Sequence, residues 1–167
     1  KSVILARGAK NRPLGLPNEK KLVGSGVSYC ATCDGMFYRG KTVAVNGGGN
    51  TAIEDATFLA NVANKVYVIH RRDEFRAEEA VVAALKKKDN VEFVLNSNIV
   101  EIKEEAFAVS GVVVEDKNTH EKREIAIDGL FVAIGQVPDN AAFAQVVELD
   151  KAGYIVAGED CKTKTEG

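Results

Sequence analysis

Three features of the sequence predict an α/β fold, in which a parallel sheet with crossover helices carries a small antiparallel β-meander. Lys41-Thr42-Val43-Ala44-Val45 is a short β-branched run that leads into Gly47-Gly48-Gly49, and a helical pattern and a second run, Lys65-Val66-Tyr67-Val68-Ile69, follow it. Leu130-Phe131-Val132-Ala133-Ile134 is apolar throughout, which suits a parallel strand covered on both faces. Between these, four short strands are expected at 91–95, 98–103, 106–115 and 122–127, the last two joined by the turn Asp116-Lys117-Asn118-Thr119-His120.

From the start of the chain, Ser2 to Leu5 is expected to form a short strand running into Arg7-Gly8. Residues 8–28, with Pro13, Pro17 and glycines at 8, 15, 24 and 26, read as a connecting stretch. From Asn50 to about Asn61 the apolar residues Ile53, Ala56, Leu59 and Ala60 recur at helical spacing. A second helix is expected from Asp73 to Lys88, with acids in its first turn and Lys86-Lys87-Lys88 in its last, both placements complementing the helix dipole. The lysine run therefore reads as a solvated helix end.

The 167 residues suffice for one core, and 46% apolar with 28% charged residues is a globular composition. A net charge of −2 gives no general attraction to nucleic acid or to an anionic membrane, so any anion site must be local. No apolar run approaches the ~20 residues that span a bilayer. The segment Lys1 to Leu5 lacks signal-peptide architecture, so a cytoplasmic protein is expected. The only methionine is Met36, and the chain reads as a piece of a longer protein.

Strand, glycine turn, helix and strand within about 30 residues form a βαβ unit, which makes this a Rossmann-like dinucleotide-binding domain. Gly47 permits the tight turn, Gly49 lets backbone approach a pyrophosphate, and Ala52 is small enough for close helix–strand packing. Gly48, Asn50 and Thr51 complete the loop, whose backbone N–H groups at the helix start favour an anion. The end of the second strand selects the cofactor. An acid there binds the ribose 2′-hydroxyl of NAD, whereas cations bind the 2′-phosphate of NADP. This chain has His70, Arg71 and Arg72 there, 23 residues and more after Gly47, with Arg76 about one helical turn further on. Arginine grips phosphate bidentately, so NADPH is favoured over NADH. The plain alternative is that Arg71, Arg72 and Arg76 merely solvate a surface loop near Asp73, Glu74, Glu78 and Glu79.

Cys30-Ala31-Thr32-Cys33 is a C-x-x-C pair that can close and reopen a small disulfide ring. Asp34, next to Cys33, is positioned to move a proton to a departing thiolate. A structural zinc site would need four ligands, and only Cys161, His70 and His120 remain, distant and unpaired, so no metal site is assigned. Inert core thiols fit poorly beside Thr32, Asp34 and Gly35.

With these residues in view, the chain resembles the low-molecular-weight, flavin-dependent thioredoxin reductases. The resemblance runs through Gly26-Val27-Ser28-Tyr29-Cys30-Ala31-Thr32-Cys33-Asp34-Gly35, then Gly47-Gly48-Gly49-Asn50-Thr51-Ala52-Ile53-Glu54. It continues through His70-Arg71-Arg72-Asp73, Phe75-Arg76-Ala77, and Ala133-Ile134-Gly135 with Pro138. It implies that Glu54, Ile134 and Gly135 also belong to the cofactor site. It implies hydride transfer from NADPH to FAD, then electrons to a Cys30–Cys33 disulfide and on to thioredoxin. Cys33 would face the flavin, Cys30 would attack thioredoxin, and Asp34 would donate the proton. Residues 12–139 would be the NADPH-binding domain, and 1–11 and 140–167 parts of an FAD domain whose remainder lies in the same longer chain, itself a homodimer. This piece alone is not expected to hold FAD or to turn over. Two related readings are the flavoprotein reductase of an alkyl hydroperoxidase system and a non-catalytic NADPH-binding module. Arg7 and Asn46 depart from the family pattern, which has a small and an apolar residue there.

Overall fold

The computed structural model describes residues 2–166; Lys1 and Gly167, at the ends of the two expected FAD-domain segments, lie outside the described residues. In chain order the elements are β1 (Ala9–Asn11), α1 (Glu19–Leu22), β2 (Val27–Ser28), α2 (Ala31–Asp34) and β3 (Thr42–Asn46). Then come α3 (Asn50–Leu59), β4 (Lys65–Ile69), α4 (Glu79–Leu85) and β5 (Val91–Val94). The series closes with β6 (Ser97–Glu105), β7 (Ala108–Asp116), β8 (Lys122–Ala126), β9 (Gly129–Val132) and β10 (Gln136–Pro138). The chain divides into two units, Pro13–Ile134 and the residues up to Arg12 together with those from Gly135 on.

The larger unit is an α/β structure on a five-stranded parallel sheet of order β2-β9-β3-β4-β5. Its strands alternate strictly between two cores. Val43, Val45, Val66, Val68 and Phe131 pack with Ile53, Leu59 and Leu85 of α3 and α4. Ala44, Ile69, Leu130 and Val132 pack with Ile102, Val112, Val114 and Ile125 of the meander β6-β7-β8. A period of two on a sheet covered on both faces explains why these strands read as unbroken apolar runs. Each fully buried Val, Leu or Phe contributes roughly 1.5–3 kcal/mol of transfer free energy.

The meander is antiparallel, with two tight turns. In the second turn, Asp116 Oδ1 accepts the N–H groups of Asn118 and Thr119, the local chemistry that ends a strand. The first corrects the expectation of a strand from 106: Ala106 and Phe107 are the turn itself, with φ of 48° and 65°. That left-handed pair matches the hairpin twist, although the sequence lacks the Asn-Gly signature that marks such turns.

Three further expectations are corrected. Ser2–Leu5 is not a strand: it pairs with nothing among the described residues, and Val3 and Ile4 stand 77% and 91% exposed. The strand of that region is β1, antiparallel to β10 in the smaller unit, where Arg7 and Lys10 pair with Asp139. Residues 8–28 are not merely a connection, since β1, α1 and the sheet strand β2 lie in them. The second helix is α4 only, and residues 70–78 are irregular. There the Arg76 N–H donates to the Gly48 carbonyl (2.8 Å) and the Glu78 N–H to Asn50 Oδ1 (3.1 Å), bonds to the glycine loop and α3 that displace helical ones.

Candidate functional site

Because β2, β9, β3 and β4 run parallel, their carboxyl ends share one edge of the sheet, the place where open α/β sheets bind ligands. The C-x-x-C segment follows β2, Ala133 and Ile134 follow β9, the glycine loop follows β3, and His70-Arg71-Arg72 follow β4. At about 4.8 Å per strand, β2 and β4 lie roughly 14 Å apart along that edge.

The glycine loop is tied into the sheet on both sides. The Gly47 N–H donates to the Ile69 carbonyl (3.1 Å), and the Asn46 carbonyl accepts from Ala133 (2.8 Å). Gly47 has φ +156°, and a Cβ there would fall 2.3 Å from the Ala133 carbonyl oxygen and 2.7 Å from Ala52 Cβ. Gly47 and the fully buried Ala52 therefore pack as a pair of small residues. A Cβ on Gly49 would meet nothing within 4 Å, so its backbone is open to an approaching group. Gly49 is also the N-cap of α3 and supplies no side chain to it, which leaves the first amides of the helix for a ligand. Asn50 and Thr51 are exposed at that helix start. Exposed Glu54, one turn on, edges a shallow depression with Asn50, Ala77 and Glu78.

His70 takes a different position from its neighbours. It is 8% exposed, stacks on Phe75 at 5.2 Å between ring centroids, and its Nε2 lies 3.1 Å from the Glu74 carbonyl oxygen. Burial lowers its pKa below the usual histidine range; the Glu74 contact opposes this, and Arg71, Arg72 and Arg76 reinforce it. The imidazole thus props the loop from beneath, whereas Arg71, Arg72 and Arg76 are exposed. None of the three forms an ion pair among the described residues, and Asp73, Glu74, Glu78 and Glu79 do not engage them. That arrangement leaves three exposed guanidinium groups open to water or to an anion. Asn46 is buried at the end of β3, and nothing in the structure explains its polar side chain.

Cys30 and Cys33 form a disulfide with Cα atoms 5.3 Å apart. Cys30 is the N-cap of α2, and its Sγ accepts the Cys33 N–H at 3.2 Å. Cys33 is exposed, Cys30 and Asp34 are half-buried, and Thr32 Oγ1 lies 3.5 Å from Cys30 Sγ. Ile134 is half-buried beyond β9, whereas Gly135 belongs to the smaller unit, where its carbonyl accepts the Arg12 N–H at 3.0 Å.

Two supports escaped the sequence reading. Ser28, 4% exposed, bonds both the Cys30 N–H and the Asp34 carboxylate; a serine two residues ahead of the amide it captures is the local signal for such a turn. Glu19, 2% exposed, accepts the N–H groups of Leu14 and Gly15 (both 2.9 Å) and the Tyr29 hydroxyl (2.7 Å). Burial first, then this carboxylate, raises the Tyr29 pKa above the usual tyrosine range.

The family model described as pyridine nucleotide-disulphide oxidoreductase matches residues 1–167. The chain is 47% identical over 159 residues to the thioredoxin reductase of Coxiella burnetii (strain RSA 493 / Nine Mile phase I), covering 93% of this chain and 50% of that protein. It is 42% identical over 172 residues to the thioredoxin reductase of Helicobacter pylori (strain J99 / ATCC 700824), covering all of this chain and 55% of that protein. The crystal structure of Lactococcus lactis thioredoxin reductase in the FR conformation superposes with a TM-score of 0.89 at 34% identity, over 94% of this chain and 52% of that one. The chain spans about half the length of these relatives.

Proposed function

The chain belongs to the pyridine nucleotide-disulphide oxidoreductase family, and from that premise we propose that it is the NADPH-binding and redox-disulfide part of a thioredoxin reductase. The observation that carries this reading is the disulfide, the glycine loop and the exposed Arg71 and Arg72 all following strands at the carboxyl edge of one parallel sheet. In this reading residues 12–139 are the NADPH domain, and 1–11 and 140–167 are parts of an FAD domain. The longer protein is homodimeric, works in the cytoplasm and takes thioredoxin as its partner. No helix among the described residues is long and apolar enough to cross a membrane.

The residues present fit NADPH. The open backbone at Gly49 and the uncapped start of α3 receive the pyrophosphate. Arg71, Arg72 and Arg76 take the 2′-phosphate, and Gly48, Asn50, Thr51, Glu54 and Ile134 of the same unit shape the remaining wall. No residue of this chain is assigned to FAD, which the rest of the longer protein holds. NADPH held by these residues would supply the reducing hydride, and FAD in the rest of the longer protein would relay its two electrons, so that the Cys30–Cys33 disulfide is the group of this chain that is reduced. The resulting Cys30 thiolate attacks thioredoxin, Cys33 resolves the mixed disulfide, and Asp34 supplies the proton to the leaving thiolate.

Titration of the chain with NADPH and then NADH by calorimetry at fixed ionic strength tests the cofactor assignment. Binding of NADPH at least tenfold tighter is expected, and equal affinities overturn it. For the dithiol, Cys33→Ser is expected to trap a mixed disulfide with thioredoxin through Cys30. Trapping through Cys33 in Cys30→Ser instead would reverse the two roles.

A further inference from the structure

We propose that Ser28 is the positioning residue for Asp34, which rests on the acid–base reading of Asp34 given above. The Ser28 hydroxyl donates to Asp34 Oδ2 at 2.6 Å and its oxygen accepts the Cys30 N–H at 3.1 Å. Its one hydrogen has a second acceptor, the Cys30 carbonyl, only at 3.3 Å, so the carboxylate takes it. Ser28 is itself immovable: it is 4% exposed and lies in β2 opposite Phe131 of β9, which is 1% exposed. A single buried hydroxyl thus joins the amide of the first cysteine to the carboxylate that follows the second. The side chain of Asp34 is held by the sheet, across the disulfide ring, and not by the four-residue helix that bears it.

The chemistry this serves balances as follows. In the reduced chain the Cys30 thiolate forms a bond to one sulfur of an external disulfide and that S–S bond breaks. The departing thiolate takes the proton of Asp34. The Cys33 thiol then returns a proton to Asp34 and, as thiolate, attacks Cys30 Sγ, which expels the second thiolate. The dithiol loses two electrons to the substrate, and Asp34 ends as it began. Ser28 forms no bond in this sequence; it fixes one carboxylate oxygen so that the other carries the proton.

Acid assistance matters most for a poor leaving group, so the test compares two probes on the pre-reduced chain: an alkyl disulfide (oxidised glutathione) and an aromatic one (dithionitrobenzoate). Ser28→Ala is expected to slow the alkyl reaction about tenfold, with a smaller loss on the aromatic probe, and Ser28→Thr to restore most of the difference. Asp34→Asn is expected to show the same probe-selective loss, and the double variant no further loss. If Asp34→Asn is probe-selective and Ser28→Ala is not, the positioning role fails alone. If Asp34→Asn is not probe-selective, the acid–base reading beneath it fails. Equal slowing on both probes in Ser28→Ala, unrescued by threonine, would mark Ser28 as a structural residue only.

Discussion

The imidazole of His70 occupies the space beneath Gly48: a Cβ at position 48 would fall 2.2 Å from His70 Cε1 and 2.4 Å from Nδ1. The middle glycine of the loop is therefore required by a neighbouring side chain, and neither a phosphate nor a backbone angle sets that requirement.

Gly48→Ala is expected to destabilise the fold by about 1–3 kcal/mol, the usual range for overpacking, and to weaken NADPH binding. Pairing it with His70→Ala removes the overlap, so the double variant should be more stable than the sum of the single effects. Urea midpoints at constant m-value measure this, and strict additivity would refute the contact.

His70 also gives the fold a pH dependence of fixed sign. Burial, the largest cause, and the three arginines lower its pKa, and the Glu74 carbonyl acts in the other direction. Above about pH 6.5 both folded and unfolded chains carry it neutral, so it adds no slope. As the pH falls below that value the unfolded chain binds a proton that the folded chain resists, and stability declines. The Tm of the parent chain should therefore drop more steeply below pH 6.5 than that of His70→Gln. Parallel curves would show that His70 does not titrate differently on folding.

Arg71→Ala with Arg72→Ala is expected to cost NADPH binding about 10- to 100-fold, the loss of one or two charge-assisted hydrogen bonds, with NADH affinity nearly unchanged. Calorimetry at two salt concentrations checks it. Equal losses for both cofactors would remove these residues from the 2′-phosphate.

Glu19→Ala strips the N–H groups of Leu14 and Gly15 and the Tyr29 hydroxyl of their common acceptor, at an expected cost of roughly 2–4 kcal/mol. Tyr29→Phe removes one of the three bonds and should cost about 1 kcal/mol. Urea denaturation ranks the two, and a larger effect at Tyr29 would mean that the carboxylate is not the hub. Ultraviolet titration should find Tyr29 still protonated beyond the usual tyrosine range, a component missing from Tyr29→Phe, because burial and Glu19 both oppose its ionisation.

The sequence alone determined what depends on local chemistry and periodicity. The strands around 43, 67 and 131, the helix from Asn50 and the turn at Asp116 are set by β-branched runs, a 3.6-residue repeat and an Asx cap, all within a few residues of each other. The glycine loop, the arginines after β4 and the C-x-x-C pair were legible for the same reason, since spacing carries their chemistry. Only the tertiary structure decided where backbone groups found distant partners. Residues 70–78 left the helix because Arg76 and Glu78 bond the loop and α3, and Ser2–Leu5 stayed irregular, with no strand partner among the described residues. Ala106-Phe107 became a turn because the meander's pairing closes there. His70 became a buried prop while the arginines beside it stayed exposed, because desolvation tolerates a neutral imidazole and excludes an unpaired guanidinium. Ser28 and Glu19 acquired their roles through burial, a property that no residue possesses until the sheet and its two covering layers have assembled around it.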